Sequence, residues 1–305
     1  MPSVKGELAL IAQIRRQFAA RPSKTLALGI GDDCAILRPP TGSELLVTTD
    51  FSLEDRHFRR DLHPAHVVGH RCLTRGLSDL AAMGATPLAA FLSLALPKDL
   101  PAKWVKQFLE GLETLAKASK VPLAGGDTAQ SPTDHILADI VLLGTAPTGT
   151  ALRRSGAKPG DLLYVTGQLG AAAAQLRTLL AGGRVRSHHL PQPRLAIGQK
   201  IRGKATACID LSDGLSTDLA HLCEASKVGA EVDLAALPIH PFATQDDALN
   251  GGEDYELLFT APPTARIPKT LATPIGRILK PRKIVAITPD GTSNPLPPRG
   301  WEHFQ

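Results

Sequence analysis

Apolar segments of strand length alternate along the chain with segments long enough to form helices. The runs with strand character are LLVTTD, LAAFLSLALP, ILADIVLLG, DLLYVTG, ACIDLSD, YELLFTAP and PIGRIL. Strands that alternate with helices in this way favour sheets covered by helices over an all-helical or all-β fold. The pattern therefore predicts an α/β (mixed α+β) protein.

The amino terminus has the pattern of an amphipathic helix. In MPSVKGELALIAQIRRQF the apolar positions are Leu8, Ile11, Ile14 and Phe18. This differs from the short apolar stretch and small-residue cleavage site of a signal peptide, so we expect none. The most apolar stretch, LAAMGATPLAAFLSLALP, is interrupted by Gly, Thr, Pro and Ser. It falls short of the ~20 apolar residues that span a bilayer, and we expect no membrane partner.

A segment rich in Gly, Pro and Thr separates two halves of the chain. It reads TAPTGTALRRSGAKPGD and covers residues 145–161. Such composition is typical of a domain boundary. We predict a boundary near residue 147, with domains over 1–147 and 148–305. The proline-rich tail NPLPPRGW predicts an extended end rather than a helix.

Composition narrows the class of protein. The 305 residues are 43% hydrophobic and 21% charged, which is ordinary for a globular chain. The net charge of +5 suggests a nucleic-acid-binding protein as one alternative. That alternative requires basic residues clustered with aromatic ones, whereas only 4% of residues are aromatic and the basic residues are scattered, so we expect no nucleic-acid partner. Four cysteines without a C-x-x-C pair suggest neither disulfides nor a zinc site, and favour the cytoplasm.

Aspartates recur at the predicted ends of apolar strands, beside Gly, Ser or Thr. They are Asp32, Asp33, Asp50, Asp79, Asp127, Asp210 and Asp213. One such aspartate is most often a turn former or a helix cap. Seven of them would meet at one rim of a sheet and repel one another unless cations joined them. Oxygen ligands without a Cys or His cluster favour Mg²⁺ or Mn²⁺, and several such ions imply phosphate ligands.

The usual nucleotide-binding motifs are incomplete. GIGDDC lacks the third Gly of a dinucleotide loop, and the run from Gly198 to Ala205 has P-loop spacing but lacks the final Ser or Thr. We therefore expect metal-mediated phosphate binding. His66 and His70 have the spacing of a metal pair, but we interpret them as helix surface residues.

Eight motifs together resemble one known family. They are GIGDDCAIL, TTDFSLEDRHF, LSDLAAMGA, GGDT, RRSGAKPGD, IDLSDGLSTDL, GGEDYELLFT and GWEHF. In this order they are similar to the motif series of the thiamine-monophosphate kinase family in the AIR synthetase-like superfamily. The resemblance covers essentially the whole chain. It implies a two-domain AIR synthetase-like fold with mixed sheets packed with helices, and a homodimer formed through the first domain.

The resemblance also implies an activity and the roles of residues. The activity is phosphorylation of thiamine monophosphate by ATP to thiamine diphosphate, with several Mg²⁺ ions. The implied magnesium ligands are Asp33, Thr48 (through its backbone oxygen), Thr49, Asp50, Asp79, Asp127, Asp210 and Asp213. The implied ATP contacts are Gly126, Asp127, Arg154 and Ser212. The implied thiamine contacts are His57, Glu253 and Trp301.

Two departures from the family pattern involve three residues. Gly76 stands where the family has Asn, and Asp55-Arg56 precede His57 where the family usually has a small residue and then Asn or Val. None of these positions is an implied ligand. The reaction assignment is therefore unchanged.

The implied chemistry explains why no catalytic triad is visible. A phosphate monoester is largely dianionic at neutral pH, so it is already a nucleophile and we assign no general base. The difficulty is to bring it to ATP, which requires cations and in-line positioning. Arg154 would neutralise phosphate charge, and Trp301 would offer an aromatic face to the thiazolium or the pyrimidine.

A second enzyme class remains open at this point. Another ATP-dependent member of the superfamily would use a similar metal cluster on a different small substrate. GGEDYEL and GWEHF favour the thiamine branch, because metal and ATP sites alone do not separate the two alternatives.

Overall fold

The computed structural model describes residues 6–18 and 23–302, which form two compact units. The first unit contains the residues up to 80 and residues 85–149. The second contains residues 81–84 and those from 150 onward. Each unit has a mixed sheet of its own.

The first unit is built on a four-stranded sheet. Its elements are α1 (Glu7–Gln17), β1 (Leu26–Leu28), β2 (Ile36–Leu37), β3 (Ser43–Leu53), α2 (Ala65–Ala82), β4 (Thr86–Leu96), α3 (Ala102–Ala118), β5 (Leu123–Gln130) and β6 (Leu137–Pro147). The strand order is β3-β6-β4-β5, with β4 and β5 parallel and the other pairs antiparallel. Strands β1 and β2 form a separate antiparallel pair.

Helices cover one face of this sheet. A Cβ built on Gly76 of α2 would lie 2.5 Å from Leu142 of β6, so the leucine occupies the space that the family's Asn would fill. Helix α3 crosses α2 closely enough that a Cβ on Gly111 would lie 1.9 Å from the His66 carbonyl oxygen. The expected surface position holds for His66, which is exposed, but is wrong for His70, which is 5% exposed.

Helix α1 forms where the pattern predicts it, but its buried face differs from the predicted one. Leu8 and Ile11 are exposed (83% and 38%), whereas Leu10 and Phe18 are buried. Leu10, Ile14 and Phe18 follow one another at intervals of four residues and therefore share a helix face. The apolar pattern therefore predicts the helix but not which of its faces is buried.

The second unit contains a seven-stranded sheet. Its elements are β7 (Leu162–Val165), α4 (Ala171–Leu180), α5 (Leu195–Ile201), β8 (Ala207–Asp210), α6 (Leu215–Ser226), β9 (Gly229–Asp233), α7 (Gln245–Asn250), β10 (Leu257–Ala261), β11 (Thr273–Leu279), β12 (Ile284–Ile287) and β13 (Ser293–Pro295). The order is β13-β12-β9-β11-β7-β10-β8. Only the β12–β9 pair is parallel among these described neighbours.

Both faces of the seven-stranded sheet are buried. Leu258 packs with Leu219 of α6, and the next residue, Phe259, packs with Tyr164 and Ile201 of α5 on the other side. Successive strand residues point to opposite faces, so one strand supplies both cores. The prediction of mixed sheets packed with helices is confirmed.

The local predictions are confirmed for all seven apolar runs, each of which contains a strand. The tail after β13 has no helix up to residue 302, as expected. In the part of the chain that the structure describes, no helix has the length and apolar character needed to cross a membrane.

Candidate functional site

Three implied magnesium ligands lie side by side on β3, yet their side chains do not share one face. Thr48 Oγ1 donates a hydrogen bond to the Asp79 carboxylate on α2. Thr49 Oγ1 donates to Asp139 Oδ1 on β6 at 2.6 Å. Because side chains alternate along a strand, Asp50 belongs to the face of Thr48. The structure therefore groups Thr48, Asp50 and Asp79 and separates them from the Thr49 side chain.

The local setting of three aspartates differs from the sequence expectation. Asp79 lies on helix α2 rather than after a strand, and Asp50 and Asp127 lie inside β3 and β5 rather than at their ends. Polar residues continue these strands because backbone pairing to β6 and β4 extends past the apolar runs. Asp210, in contrast, is the last residue of β8, as expected.

Asp139 is a candidate residue that the sequence reasoning missed. Its signal was a single acidic residue inside the apolar run ILADIVLLG. Asp139 is in register with Ser93 of β4, which is in register with Asp127 of β5. Two strand spacings separate the Asp127 and Asp139 backbones by about 10 Å. The two carboxylates therefore lie in one row of the sheet but are not neighbours.

Gly126 precedes Asp127 in the GGDT motif. Its φ is 150°, and a Cβ there would lie 1.9 Å from the Leu92 carbonyl oxygen. Only glycine fits this close approach of β5 to β4. Asp127 itself is exposed, and its Oδ1 accepts a hydrogen bond from the Thr128 amide at 2.8 Å.

Asp33 lies in the exposed segment between β1 and β2, where its amide donates to Asp32 Oδ1 at 2.9 Å. Across residues 6–18 and 23–302, no three His, Cys, Asp or Glu side chains are grouped so that they could hold a metal ion. The magnesium ligands therefore stay a prediction.

His57 lies in the turn after β3. Its Nδ1 accepts a hydrogen bond from the Leu53 amide at 2.9 Å, so a neutral ring carries its proton on Nε2. Asp55, which differs from the family pattern, has a left-handed φ of 62°, and its Oδ2 lies 2.9 Å from His135 Nε2. Nothing in the structure explains why Arg56 stands where the family usually has Asn or Val.

In the second unit, the β8–β10 pairing continues past the two strands. The Tyr255 amide donates to the Leu211 carbonyl, and the Glu253 amide donates to the Ser212 carbonyl, both at 2.9 Å. This brings Ser212 next to Glu253. Glu253 and Tyr255 both have left-handed backbones, with φ of 65° and 52°. Strain of this kind in residues other than glycine is frequent at functional sites.

The end of β8 leads into an acidic turn. The amides of Asp213 and Gly214 each donate to Asp218 Oδ2 at 3.1 Å. Burial, together with the smaller effect of the Asp210 and Asp213 charges, raises the pKa of Asp218 to about 8. Sequence reasoning did not single out Asp218. Its signal was an acidic residue in the first turn of α6, where amides attract a carboxylate.

The C-terminal tail reaches the same turn. The Trp301 amide donates to the Asp213 carbonyl at 2.9 Å, and the Trp301 side chain is 47% exposed. The structure therefore brings together four of the predicted ATP, metal and substrate residues of this unit. They are Ser212, Asp213, Glu253 and Trp301.

Arg154 is not brought to this turn by its backbone. The Arg154 carbonyl accepts a hydrogen bond from Ser226 Oγ at 3.0 Å, and Ser226 is the last residue of α6. Asp213 lies at the other end of α6, before its first turn. A helix of this length spans about 18 Å. The ATP contact of Arg154 stays a prediction.

Two buried carboxylates anchor the loop that carries Glu253. The Gly170 amide, at the start of α4, donates to Asp254 Oδ2 at 2.7 Å, and burial raises the Asp254 pKa to about 7. Glu256 accepts from Arg194 Nε at 2.6 Å and from Thr166 Oγ1 at 2.5 Å. The strained residues therefore lie in a loop fixed at two points.

The chain is similar to known proteins along nearly its whole length. Residues 31–146 match the family model of the AIR synthase related protein N-terminal domain, and residues 158–280 match that of the C-terminal domain. The thiamine-monophosphate kinase of Escherichia coli (strain K12) is 39% identical, over 98% of this chain and 98% of that protein.

Solved structures of the same kind are similar throughout. That of thiamine-monophosphate kinase from Stenotrophomonas maltophilia K279a has a TM-score of 0.83 at 35% identity, covering 96% of this chain and 99% of that one. That of AaThiL complexed with AMPPCP and TMP has a TM-score of 0.79 at 31% identity, covering 100% and 99%. The chain therefore belongs to the thiamine-monophosphate kinase family.

Proposed function

We propose that this chain transfers the terminal phosphoryl group of ATP to the phosphate of thiamine monophosphate, giving thiamine diphosphate and ADP. The observation that carries the proposal is the grouping of Ser212, Asp213, Glu253 and Trp301 in a chain that is 39% identical, nearly end to end, to a thiamine-monophosphate kinase. The complex of a 31% identical relative with AMPPCP and TMP supports the same pair of substrates.

The acceptor needs no general base in this reaction. A phosphate monoester is mainly a dianion at neutral pH, and its oxygen attacks the terminal phosphorus of ATP directly. The bond from that phosphorus to the bridging oxygen of ADP then breaks. What the protein must supply is in-line positioning and compensation of negative charge.

We propose that Mg²⁺ is bound by Asp33, Thr48, Thr49, Asp50, Asp79, Asp127, Asp210 and Asp213. When bound, Mg²⁺ screens the charges of the phosphates and stabilises the transferring group. These residues offer carboxylate, hydroxyl and carbonyl oxygens, which suit a hard cation. Magnesium is commonly held by one or two carboxylates together with substrate phosphates, so small groups such as Asp50 with Asp79 are sufficient.

The remaining predicted residues have separate roles in this proposal. Gly126, Asp127, Arg154 and Ser212 contact ATP, and His57, Glu253 and Trp301 contact thiamine monophosphate. His57 would donate from Nε2, since its Nδ1 already accepts from the Leu53 amide. The half-exposed Trp301 would contact the cationic thiazolium or the pyrimidine with its aromatic face.

We further propose a homodimer formed through the first unit. The face of β3 opposite Thr48 carries Leu45, Val47 and Phe51, which are 48%, 63% and 60% exposed. Large apolar side chains in a row on a sheet are a typical protein interface. A cytoplasmic location is also part of the proposal, and the four free cysteines support it.

The test is to incubate purified protein with ATP, MgCl₂ and thiamine monophosphate and to separate the products by chromatography. We expect thiamine diphosphate and ADP in equal amounts, and none when EDTA is present. If ATP were consumed with another small acceptor but not with thiamine monophosphate, the chain would belong functionally to the second enzyme class considered above.

A further inference from the structure

Three consecutive amides of the C-terminal tail donate hydrogen bonds to the start of α6. The bonds run from Arg299 N to Ser216 Oγ (3.1 Å), from Gly300 N to Thr217 Oγ1 (2.9 Å) and from Trp301 N to Asp213 O (2.9 Å). We call residues 213–217 the tail dock. Its two hydroxyls accept from the tail, which fixes the backbone of residues 299–301.

The tail lies directly on the dock at Gly300. A Cβ at this position would lie 1.9 Å from the Asp213 carbonyl oxygen and 2.7 Å from Thr217 Oγ1. No side chain fits there without moving the tail. Glycine at this position therefore has a packing reason, independent of backbone flexibility.

Ser216 also joins the dock to the loop that carries Glu253. Its hydroxyl donates to Asn250 Oδ1 at 2.7 Å while it accepts from the Arg299 amide. Ser216 itself is fully buried, and both bonds are partly buried, which limits competition from water. The Ser216 hydroxyl thus connects the tail to Asn250, which directly precedes Gly251 and Gly252.

We propose that Ser216 and Thr217 are positioning residues that hold Trp301 in place and so determine the affinity for the thiamine-phosphate acceptor. The inference rests on the proposed function, in which Trp301 contacts the acceptor thiamine monophosphate. Neither hydroxyl touches the substrate in this proposal. Each acts through the tail backbone, and Ser216 acts also through Asn250.

The kinetic test compares T217V with T217S. Valine has the shape of threonine but cannot accept from the Gly300 amide, whereas serine retains the acceptor. For T217V we expect the KM for thiamine monophosphate to rise about three- to tenfold, the effect of one lost hydrogen bond, with the KM for ATP and kcat little changed. T217S should restore the wild-type KM. T288A, which removes an exposed hydroxyl near β13, should have no effect.

A second measurement follows Trp301 without substrate. The chain has two tryptophans, so a W104F background leaves Trp301 as the only one. We expect acrylamide to quench Trp301 more strongly in T217V and G300A than in the background protein or with T217S. Unchanged quenching, or a KM that rises equally in T217V and T217S, would overturn the proposal. If the wild type made no thiamine diphosphate, the proposed function would fail, while the quenching would still decide whether the dock holds Trp301.

Discussion

Asp50 and Asp127 carry the proposed metal chemistry from two different strands. We expect D50N and D127N each to lower kcat by about a hundredfold or more, since losing a metal ligand removes several kcal/mol of charge stabilisation. Asp127 is exposed, so D127N should change the unfolding free energy by less than about 0.5 kcal/mol. The measurement is the rate of thiamine diphosphate formation, alongside thermal unfolding. Near-normal rates in both variants would refute the metal role.

Glu253 combines a proposed substrate contact with a strained backbone. At φ 65°, alanine keeps the strain and glycine relieves it. We expect E253G to be more stable than E253A by about 1 kcal/mol, while both lose affinity for thiamine monophosphate. Urea unfolding and the KM for the acceptor check the two parts.

Lys120 is the matched control for this backbone effect, because its φ is 55°. K120G should exceed K120A in stability by a similar amount, with no change in the KM. Equal stabilities for E253G and E253A would mean that the loop relaxes instead of storing strain.

At the scale of elements, Asp254 links the Glu253 loop to the start of α4. Its pKa is raised from 3.8 to about 7 in the folded protein, chiefly by burial. As pH rises from about 4 to 7, the unfolded chain loses this proton while the folded chain retains it, so folding becomes less favourable. Above pH 7 the cost stays constant.

The variant D254N should remove this pH dependence. Its stability relative to wild type should increase between pH 5 and pH 8, as measured by urea unfolding at both values. D290N is the control, because hydrogen bonds lower the Asp290 pKa from 3.8 and its titration lies below this range. If the stability of both variants relative to wild type changed equally between pH 5 and pH 8, Asp254 would not be the source of the pH dependence.

The sequence predicted elements well where burial alone forms them. The seven apolar runs are strands because their residues fill a core on at least one side. Strand β5 is missing from the predicted apolar runs, and Asp127 was expected at the end of a strand rather than inside one. The reason is that LAGGDTAQ is polar and rich in glycine and is held as a strand by pairing with β4. The faces on which Thr48 and Thr49 lie depend on the register of the sheet, and the burial of His70 depends on how the helices cross. The pattern of apolar residues along the chain determines neither of these.

The same limit applies to the site. The family resemblance implied site roles for Ser212, Asp213, Glu253 and Trp301. The continued pairing of β8 with β10 brings Glu253 to Ser212, and a tail amide brings Trp301 to Asp213. Asp139 and Asp218 were missed, since one isolated carboxylate in an apolar run or in a first helical turn is usually structural. They become candidates only through the neighbours that the fold supplies, which are Thr49 for Asp139 and Asp213 for Asp218.

At the scale of the whole molecule, the open face of β3 is the surface through which the proposed homodimer would form. Leu45, Val47 and Phe51, with the Thr49 hydroxyl between the last two, leave large apolar side chains exposed on one face of a sheet whose other face is buried by helices. Burying such a row against a second copy gains about 25 cal/mol for each Å² of apolar surface. A charge placed in the row would lose that gain and would be desolvated as well.

We therefore expect F51E to convert a dimeric wild type into a monomer, as measured by light scattering during size-exclusion chromatography. Phe242 is the matched control: it is 82% exposed and belongs to the second unit, so F242E should leave the mass unchanged. Circular dichroism should be the same for all three proteins if only assembly changes. A wild type that is monomeric at micromolar concentration, or an F51E protein that remains dimeric, would exclude this face of β3 as the interface.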